Sequence, residues 1–183
     1  AVITRWLAVD NPQVSAVVVA DSEIPEHRSP LLTMLFAACA TETSRKAMVM
    51  ALRSRRLRRS IFGFGSCFHD RDRIDGDFHD LFVAPLLSDP DWLRGQMRLV
   101  DDFDWDEVDG LKRAHADIAA PVLLVWGEDD PYFPLAAAKE MLPQFPAAEL
   151  VVLPKGRLFA HEEQADRFSE AVTAFVERSL AAG

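Results

Sequence analysis

The sequence predicts an α/β protein, in which helices cover a parallel sheet and a helical segment interrupts their alternation. Three short apolar runs, at residues 14–20, 122–126 and 149–153, each stand next to a helical pattern. Continuous β-branched and apolar runs of this length are typical of buried parallel strands. The middle of the chain, residues 29–116, has several helical patterns and no comparable run. We therefore expect one sheet with a helical insertion.

The elements follow in chain order. Residues 1–10 have the pattern of a helix end, which Asn11 and Pro12 close before the first strand. The second strand follows Pro121, and a helix at 134–142 leads to the third strand. The last helix, at 162–180, places apolar residues at i, i+3, i+4, i+7 and i+8: Phe168, Ala171, Val172, Phe175 and Val176. This face is expected to pack on the sheet.

The insertion is predicted to hold five helical stretches, at 31–40, 44–56, 78–87, 90–100 and 106–115. Ser88 and Asp91 resemble a capping box, with Pro90 where a first-turn proline is tolerated. The expected division is 1–28 for the first part of the sheet domain, 29–116 for the insertion and 117–183 for the rest.

Composition narrows the class of protein. The 183 residues carry 29 acidic and 20 basic side chains, a net charge of −9, and are 49% hydrophobic, as in a globular domain. The longest apolar stretches are shorter than the roughly 20 residues that span a bilayer, so no membrane span is expected. Cys39 and Cys67 are too few for a disulfide framework or a four-cysteine metal site. Both are expected to be buried thiols in a cytoplasmic protein.

Chemistry in an open parallel sheet is expected in the loops that leave the carboxyl ends of the strands. The first loop begins with Asp21, the second contains Asp130 and the third leads to His161. An acid and an imidazole on neighbouring loops can form the orienting half of a nucleophilic triad, because the carboxylate fixes the ring tautomer and stabilises the imidazolium. Asp130 is the best placed acid, since Pro131 favours extended backbone before it and Gly127 permits a tight exit.

Simpler interpretations of these residues remain. Asp130 also fits a solvated acidic turn, and His161 fits a surface histidine in the first turn of a helix. The helix N-terminus disfavours a charged ring while Glu162 and Glu163 favour it, so the sequence leaves the direction of any His161 pKa shift open. The other histidines lack metal-ligand spacing with cysteine or carboxylate, so no metal is expected: His27, His69, His79 and His115.

Two segments of the insertion have alternative interpretations. Residues 53–59 include five arginines, which could form a nucleic-acid or acidic-membrane patch. The net charge of −9 and the acids between residues 70 and 80 favour a solvated helix end with local ion pairs instead. Residues 61–68 mix glycines with Phe62, Phe64 and Phe68, which could line an apolar pocket or pack in a core. Their spacing is not that of a nucleotide-binding loop.

The order of these segments resembles the α/β-hydrolase superfamily, particularly its epoxide hydrolase and haloalkane dehalogenase branches. In that family a Gly-x-x-Asp motif after an apolar strand carries the triad acid, which implies that role for Asp130. The His-Glu-Glu-Gln segment at 161–164 precedes the last helix, where the family's histidine loop lies. The family's usual histidine position falls at Leu158, so the resemblance implies His161 by role and not by position. Some dehalogenase-like members carry the acid one strand earlier, which makes Asp21 the alternative acid.

The resemblance implies a partial α/β-hydrolase sheet with a helical cap at 29–116. The family's nucleophile lies on a sharp strand-to-helix turn, and residues 1–7 look like the helix that follows it. We therefore expect a fragment, inactive by itself, whose nucleophile precedes Ala1. The complete protein would hydrolyse an ester, epoxide or carbon–halogen bond of a small apolar substrate through a covalent intermediate, without a cofactor. The expected pocket residues are Phe62, Phe64, Phe68 and Trp92.

Two other functions fit the sequence. The displaced histidine suggests a catalytically inactive α/β-hydrolase-like binding protein. Alternatively, the chain is a half that pairs with a separate N-terminal chain, which predicts an exposed apolar sheet edge. No nucleic-acid or membrane partner is expected. A catalytic role requires that the segments bearing Asp130 and His161 meet at one rim of the sheet.

Overall fold

A computed structural model describes residues 1–181. The chain divides into two compact units, one made of Ala1–His27 with the chain from Asp104 onward, the other of Arg28–Phe103. No helix among residues 1–181 is both long and apolar enough to cross a membrane. The helices, in chain order, are α1 (Val2–Ala8), α2 (Pro30–Cys39), α3 (Glu42–Arg53), α4 (Arg55–Arg58), α5 (Ala84–Ser88), α6 (Pro90–Asp101), α7 (Trp105–Ala114), α8 (Leu135–Met141), α9 (Ala160–Glu163) and α10 (Ala165–Ala181).

Short helical turns of other types complete the chain. Three-residue-per-turn helices lie at Arg71–Asp75, His115–Asp117 and Leu142–Gln144, and a wider π-type turn lies at His79–Val83. The predicted helix at 78–87 therefore begins as this π-type turn and continues as α5.

The first unit is built on three parallel strands, β1 (Val17–Ala20), β2 (Val122–Gly127) and β3 (Ala148–Leu153), in the order β1-β2-β3. Val17 pairs with Val122, and Gly127 pairs with Leu153. Every residue of β2 is buried, as expected for a central parallel strand that is covered on both faces. The three predicted strands are present, although β1 begins three residues later than the apolar run does.

The predicted apolar face of the last helix packs on the sheet. Phe175 joins Leu123, Val125 and Leu153 in one buried cluster, with further α10 side chains against it: Phe168, Val172 and Val176. The predicted helix 162–180 is broken near its start, because α9 ends at Glu163 and α10 begins at Ala165. This break orients the segment that carries His161 separately from the long helix.

The boundary of the insertion differs from the expected residue 116. The second unit ends at Phe103, and α7 belongs to the first unit. There the indole Nε1 of Trp6 donates a hydrogen bond to the carbonyl oxygen of Glu107 (3.1 Å). Gly110 brings the helix against the same ring, since a Cβ on it would lie 3.1 Å from the indole. An amphipathic helix pattern does not reveal which unit covers its apolar face.

The second unit contains the arginine-rich run, and its arginines are paired locally. Asp75 accepts hydrogen bonds from Arg55 (2.8 Å), Arg58 (2.6 Å) and Arg59 (3.1 Å). Burial acts to raise the pKa of Asp75, but these hydrogen bonds outweigh it and lower the pKa to about 2. The local ion pairs expected for residues 53–59 are therefore present.

The aromatic segment of this unit contributes to its core. Phe68 has none of its surface exposed, and its ring meets Phe78 edge-on with the centroids 4.9 Å apart. Phe64 meets the same ring at 5.0 Å. By contrast, Phe62 is 70% exposed and Trp92 is 55% exposed. Of the four predicted pocket residues, Phe68 therefore packs in the core of this unit, and the pocket role of Phe62, Phe64 and Trp92 remains a prediction.

Candidate functional site

Two segments at the carboxyl ends of β2 and β3 form the candidate site: the acid loop, residues 128–134, and the histidine segment, residues 154–161. Backbone N–H groups of Glu128 and Asp129 donate to the carbonyl oxygens of Leu153 (3.0 Å) and Gly156 (2.8 Å). The Glu128 carboxylate in turn accepts from the N–H of Lys155 (3.0 Å). The segments that carry Asp130 and His161 are thus joined directly at one rim of the sheet.

Two glycines allow this close approach. A Cβ on Gly127 would lie 2.6 Å from the carbonyl oxygen of Gly156 and 2.7 Å from that of Arg157. A Cβ on Gly156 would lie 2.7 Å from that of Ala160. Real Cβ atoms do not approach backbone this closely, so both positions require glycine for reasons of space.

Asp130 is buried, with 5% of its surface exposed, which contradicts the interpretation of a solvated turn. Its Oδ1 accepts a hydrogen bond from the N–H of Tyr132 (2.7 Å). Its Oδ2 is buried and has no hydrogen-bond partner among residues 1–181. Burial raises the pKa of Asp130 to about 6, against the lowering effect of the Tyr132 and Phe133 N–H groups.

His161 lies in α9 between two aromatic rings, with centroids 5.9 Å from Phe159 and 5.8 Å from Phe168. Its Nδ1 is buried and has no partner in the described part of the chain. Its Nε2 lies 3.9 Å from the carboxylate of Glu162. Burial lowers the pKa of His161, while Glu162 opposes the shift. The direction that the sequence left open is therefore set by burial, which favours the neutral ring.

No hydrogen bond joins Asp130 to His161 within residues 1–181. The structure brings their segments together and leaves one buried polar atom of each unpaired. Asp21, the alternative acid, lies on the other side of β2, where its Oδ1 accepts from the N–H of Gly127 (2.7 Å). Burial raises the pKa of Asp21 to about 8; the Gly127 N–H opposes this shift, and the charge of Asp130 adds to it. The charge of Asp130 therefore acts on Asp21 across the end of β2.

A buried arginine near the first strand loop was not predicted from the sequence. Arg5 has no exposed surface, and it donates to the carbonyl oxygen of Glu23 (2.8 Å) and to Ser22 Oγ (3.4 Å). One of its nitrogens lies 3.5 Å from Nε2 of His115, which is also fully buried. Burial lowers the pKa of Arg5 to about 10 and that of His115 to about 4. Arg5 thus holds the loop that follows Asp21. The only sequence signal was its spacing of three residues from Ala8, the other buried residue of α1.

A cavity of about 880 Å³ lies at the opposite end of the sheet. Its lining includes Pro121, Val122 and Ala148, at the amino ends of β2 and β3. Asp130 and His161 do not line it, so it is separate from the candidate site.

Similarity to known proteins was found in sequence and in structure. No family model matches the chain. A 2-hydroxy-6-oxononadienedioate/2-hydroxy-6-oxononatrienedioate hydrolase from a Pseudomonas species is 38% identical over 61 residues, which are 33% of this chain and 22% of that protein. The match is therefore confined to a short part of that relative.

Solved structures match nearly the whole chain. MGS-M2, an α/β hydrolase enzyme from a Medee basin deep-sea metagenome library, has a TM-score of 0.71 and 19% identity, over 96% of this chain and 61% of that one. A thermophilic esterase has a TM-score of 0.64 and 22% identity, over 97% of this chain and 62% of that one. The 2-hydroxy-6-oxo-6-phenylhexa-2,4-dienoate hydrolase of Rhodococcus sp. strain RHA1 has a TM-score of 0.63 and 20% identity, over 88% of this chain and 55% of that one. The chain spans 55–62% of the length of these three structures. With its parallel sheet, intervening helical unit and strand-end loops, this chain has a partial α/β-hydrolase fold.

Proposed function

We propose that Asp130 and His161 are the acid and base of a hydrolase that cleaves an ester, epoxide or carbon–halogen bond of a small, largely apolar substrate. The observation that carries this proposal is the pair of unpaired buried atoms. Asp130 Oδ2 is a hydrogen-bond acceptor, and the Nδ1–H tautomer of His161 is a donor. A hydrogen bond between them would satisfy both atoms.

The energetics favour such a pairing. A buried polar atom without a partner costs about 1–3 kcal/mol, and native proteins leave few of them. Here two lie on segments that are hydrogen-bonded to one another at the rim where ligands of parallel sheets bind. With Nδ1 held by Asp130, Nε2 of a neutral ring is available to accept a proton.

The proposed reaction takes its nucleophile, a serine or an aspartate, from outside these 183 residues. A nucleophile oxygen forms a bond to the substrate while the bond to the leaving group breaks. A serine hydroxyl would give its proton to His161, which passes it to the leaving group, whereas an aspartate would attack as the carboxylate. Water then releases the covalent intermediate and gives its proton to His161, which returns it to the serine oxygen or to the departing product. The helix α1 supports an upstream origin, because it resembles the helix that follows the family's nucleophile turn. A separate chain is the alternative source, since within residues 1–181 β1 pairs with β2 alone and leaves one strand edge for a further strand.

The similar proteins support hydrolysis without fixing the bond. Their names include an esterase and a hydrolase of dioates. Because this chain covers only part of each, the substrate of the whole protein belongs to the proposal.

The experiment compares the 183-residue chain with the same chain preceded by its upstream coding sequence, on p-nitrophenyl esters, epoxides and haloalkanes. We expect hydrolysis only by the longer chain. Asp130→Asn and His161→Gln should each lower kcat by about 10²–10⁴-fold, the range for loss of acid–base assistance. Matched controls are Asp129→Asn, an exposed acid of the same loop, and His69→Gln, an exposed histidine of the other unit. Activity that survives both site substitutions would refute the assignment.

One observation favours a second candidate, a binding protein without catalysis. Asp130 and His161 form no hydrogen bond within residues 1–181. This candidate predicts glycine or alanine at the upstream turn, and a longer chain that binds small ligands without turning them over.

A further inference from the structure

Arg157 lies in the histidine segment, between Gly156 and the helix that carries His161. Its side chain is partly buried, and its Nε is fully buried without a hydrogen-bond partner among residues 1–181. No acidic side chain in that range forms an ion pair with it. A guanidinium stays charged at any ordinary pH, so it does not escape the cost of burial by losing its proton. The burial of this cation lacks compensation within the described chain.

Other buried or partly buried arginines have hydrogen-bond acceptors that compensate for the burial of their charge. Arg5 binds the carbonyl oxygen of Glu23, and Arg59 binds Asp75. Arg58 also leaves its Nε unpaired, but its terminal nitrogens bind Asp75 (2.6 Å) and the carbonyl oxygen of Leu52 (2.9 Å). Arg157 differs from all three, because its guanidinium donates no hydrogen bond to any residue from 1 to 181.

The position of Arg157 is fixed by the backbone of the site. Its carbonyl oxygen accepts from the N–H of Ala160 (2.9 Å), and the same oxygen lies 2.7 Å from where a Cβ on Gly127 would be. The residue therefore starts at the contact between the acid loop and the histidine segment. The Glu128 carboxylate accepts a hydrogen bond from the N–H of Lys155 through Oε2, and Asp130 accepts one from the N–H of Tyr132 through Oδ1. Asp130 Oδ2 forms no hydrogen bond to the guanidinium within residues 1–181. The guanidinium is thus left available to an anion from outside.

We propose that Arg157 binds an anionic group of the substrate, so that the hydrolase acts on molecules with an apolar body and a carboxylate. The planar fork of a guanidinium matches a carboxylate in two parallel hydrogen bonds. This inference rests on the proposed function for the location of the reacting bond, but anion binding does not require catalysis. Arg157 would position the substrate, and Asp130 and His161 would act on it.

The test uses the 183-residue chain and the arginine Nε–H signals of a ¹H–¹⁵N correlation spectrum. Sodium benzoate is the probe and benzamide, its neutral analogue, is the matched ligand, both at constant ionic strength. The Arg157 signal is the one that disappears in Arg157→Lys. Benzoate should shift it saturably, with a Kd on the order of 1 mM, and benzamide should not. Arg157→Gln should weaken benzoate binding at least about tenfold, measured through the other backbone signals of the segment. Arg167→Gln, an exposed arginine paired with Gln164, should leave it unchanged.

Three results would overturn the inference: an Arg157 signal insensitive to benzoate, an equal response to benzamide, or unchanged benzoate affinity in Arg157→Gln. If Arg157→Gln does not fold, Arg157→Lys replaces it in the test. Lysine retains the positive charge but lacks the planar guanidinium, so this variant should bind benzoate about three- to tenfold more weakly than the wild type. Hydrolysis by the longer chain without benzoate binding at Arg157 would refute this inference alone. Benzoate binding at Arg157, with a longer chain that hydrolyses nothing, would refute the proposed function alone.

Discussion

Replacing Asp21 by asparagine should make the stability of the chain much less dependent on pH. The folded chain holds a proton on Asp21 up to about pH 8, whereas the unfolded chain releases it near the ordinary value of 3.8. Between these values the folded state binds more protons than the unfolded state, so the free energy of unfolding falls as pH rises. Asparagine removes the ionisation and keeps an Oδ1 that can accept the Gly127 N–H.

The size of the effect follows from the shift. Each pKa unit corresponds to about 1.4 kcal/mol, so a shift of about four units gives an upper limit of about 6 kcal/mol above pH 8. We expect Asp21→Asn to match the wild type within about 1 kcal/mol at pH 4 and to exceed it by about 3–6 kcal/mol at pH 8. The slope that remains between pH 4 and pH 6 combines two contributions of opposite sign. The raised pKa of Asp130, about 6, lowers stability as pH rises, and the lowered pKa of His115, about 4, raises it.

Urea denaturation at pH 4, 6 and 8, followed by tryptophan fluorescence, measures this difference. Trp126 is fully buried in β2 beside the site and reports on the first unit. Asp129→Asn, at an exposed position of the acid loop, should leave the pH dependence unchanged. Parallel pH curves for the wild type and Asp21→Asn would refute the reasoning, because they would mean that Asp21 ionises as freely in the folded chain as in the unfolded one.

Three further substitutions test other parts of the structure by urea denaturation, with Trp92 of α6 reporting on the second unit. Gly127→Ala should lower the free energy of unfolding by about 3 kcal/mol, because its Cβ would meet two backbone carbonyl oxygens. The control Gly95→Ala should instead raise the free energy of unfolding by about 0.5–1 kcal/mol, because a Cβ there meets no atom and alanine favours the helix. Asp75→Asn should cost about 2 kcal/mol at pH 7 and almost nothing at pH 2, because a carboxylate with a lowered pKa stabilises the fold above about pH 4 and loses that contribution as pH falls towards 2. Equal stability of the Gly127 and Gly95 variants, or a pH-independent cost at Asp75, would contradict these assignments.

The sheet and its strand-end loops could be predicted from the sequence because short apolar runs and their flanking glycines and prolines are local signals. The position of Asp130 in a strand-end loop was predicted in this way, since Gly127 and Pro131 mark the exit from its strand. Its burial was not a local signal, because it depends on packing around the acid loop. The direction of the His161 pKa shift was likewise beyond the sequence, because it depends on burial among side chains such as Phe159 and Phe168.

Longer-range contacts explain the remaining differences. The burial of Arg5 was not predicted from the sequence, because its partners include Glu23 and His115, the latter 110 residues away. The insertion was expected to end at 116 because α7 continues the helical pattern before it. It belongs to the first unit, where it contacts α1 through Trp6 and Glu107, and no local periodicity encodes that contact.

The acid loop and the histidine segment approach closely because Gly127 and Gly156 have no Cβ atom. A related sequence that gained a side chain at either position would have to move one strand end outward, and the change would displace Asp130 and His161 together. Divergence at this rim is therefore expected to proceed through compensating shifts of whole loops. Randomising the two codons and selecting for folded protein should return glycine at both far more often than at Gly95.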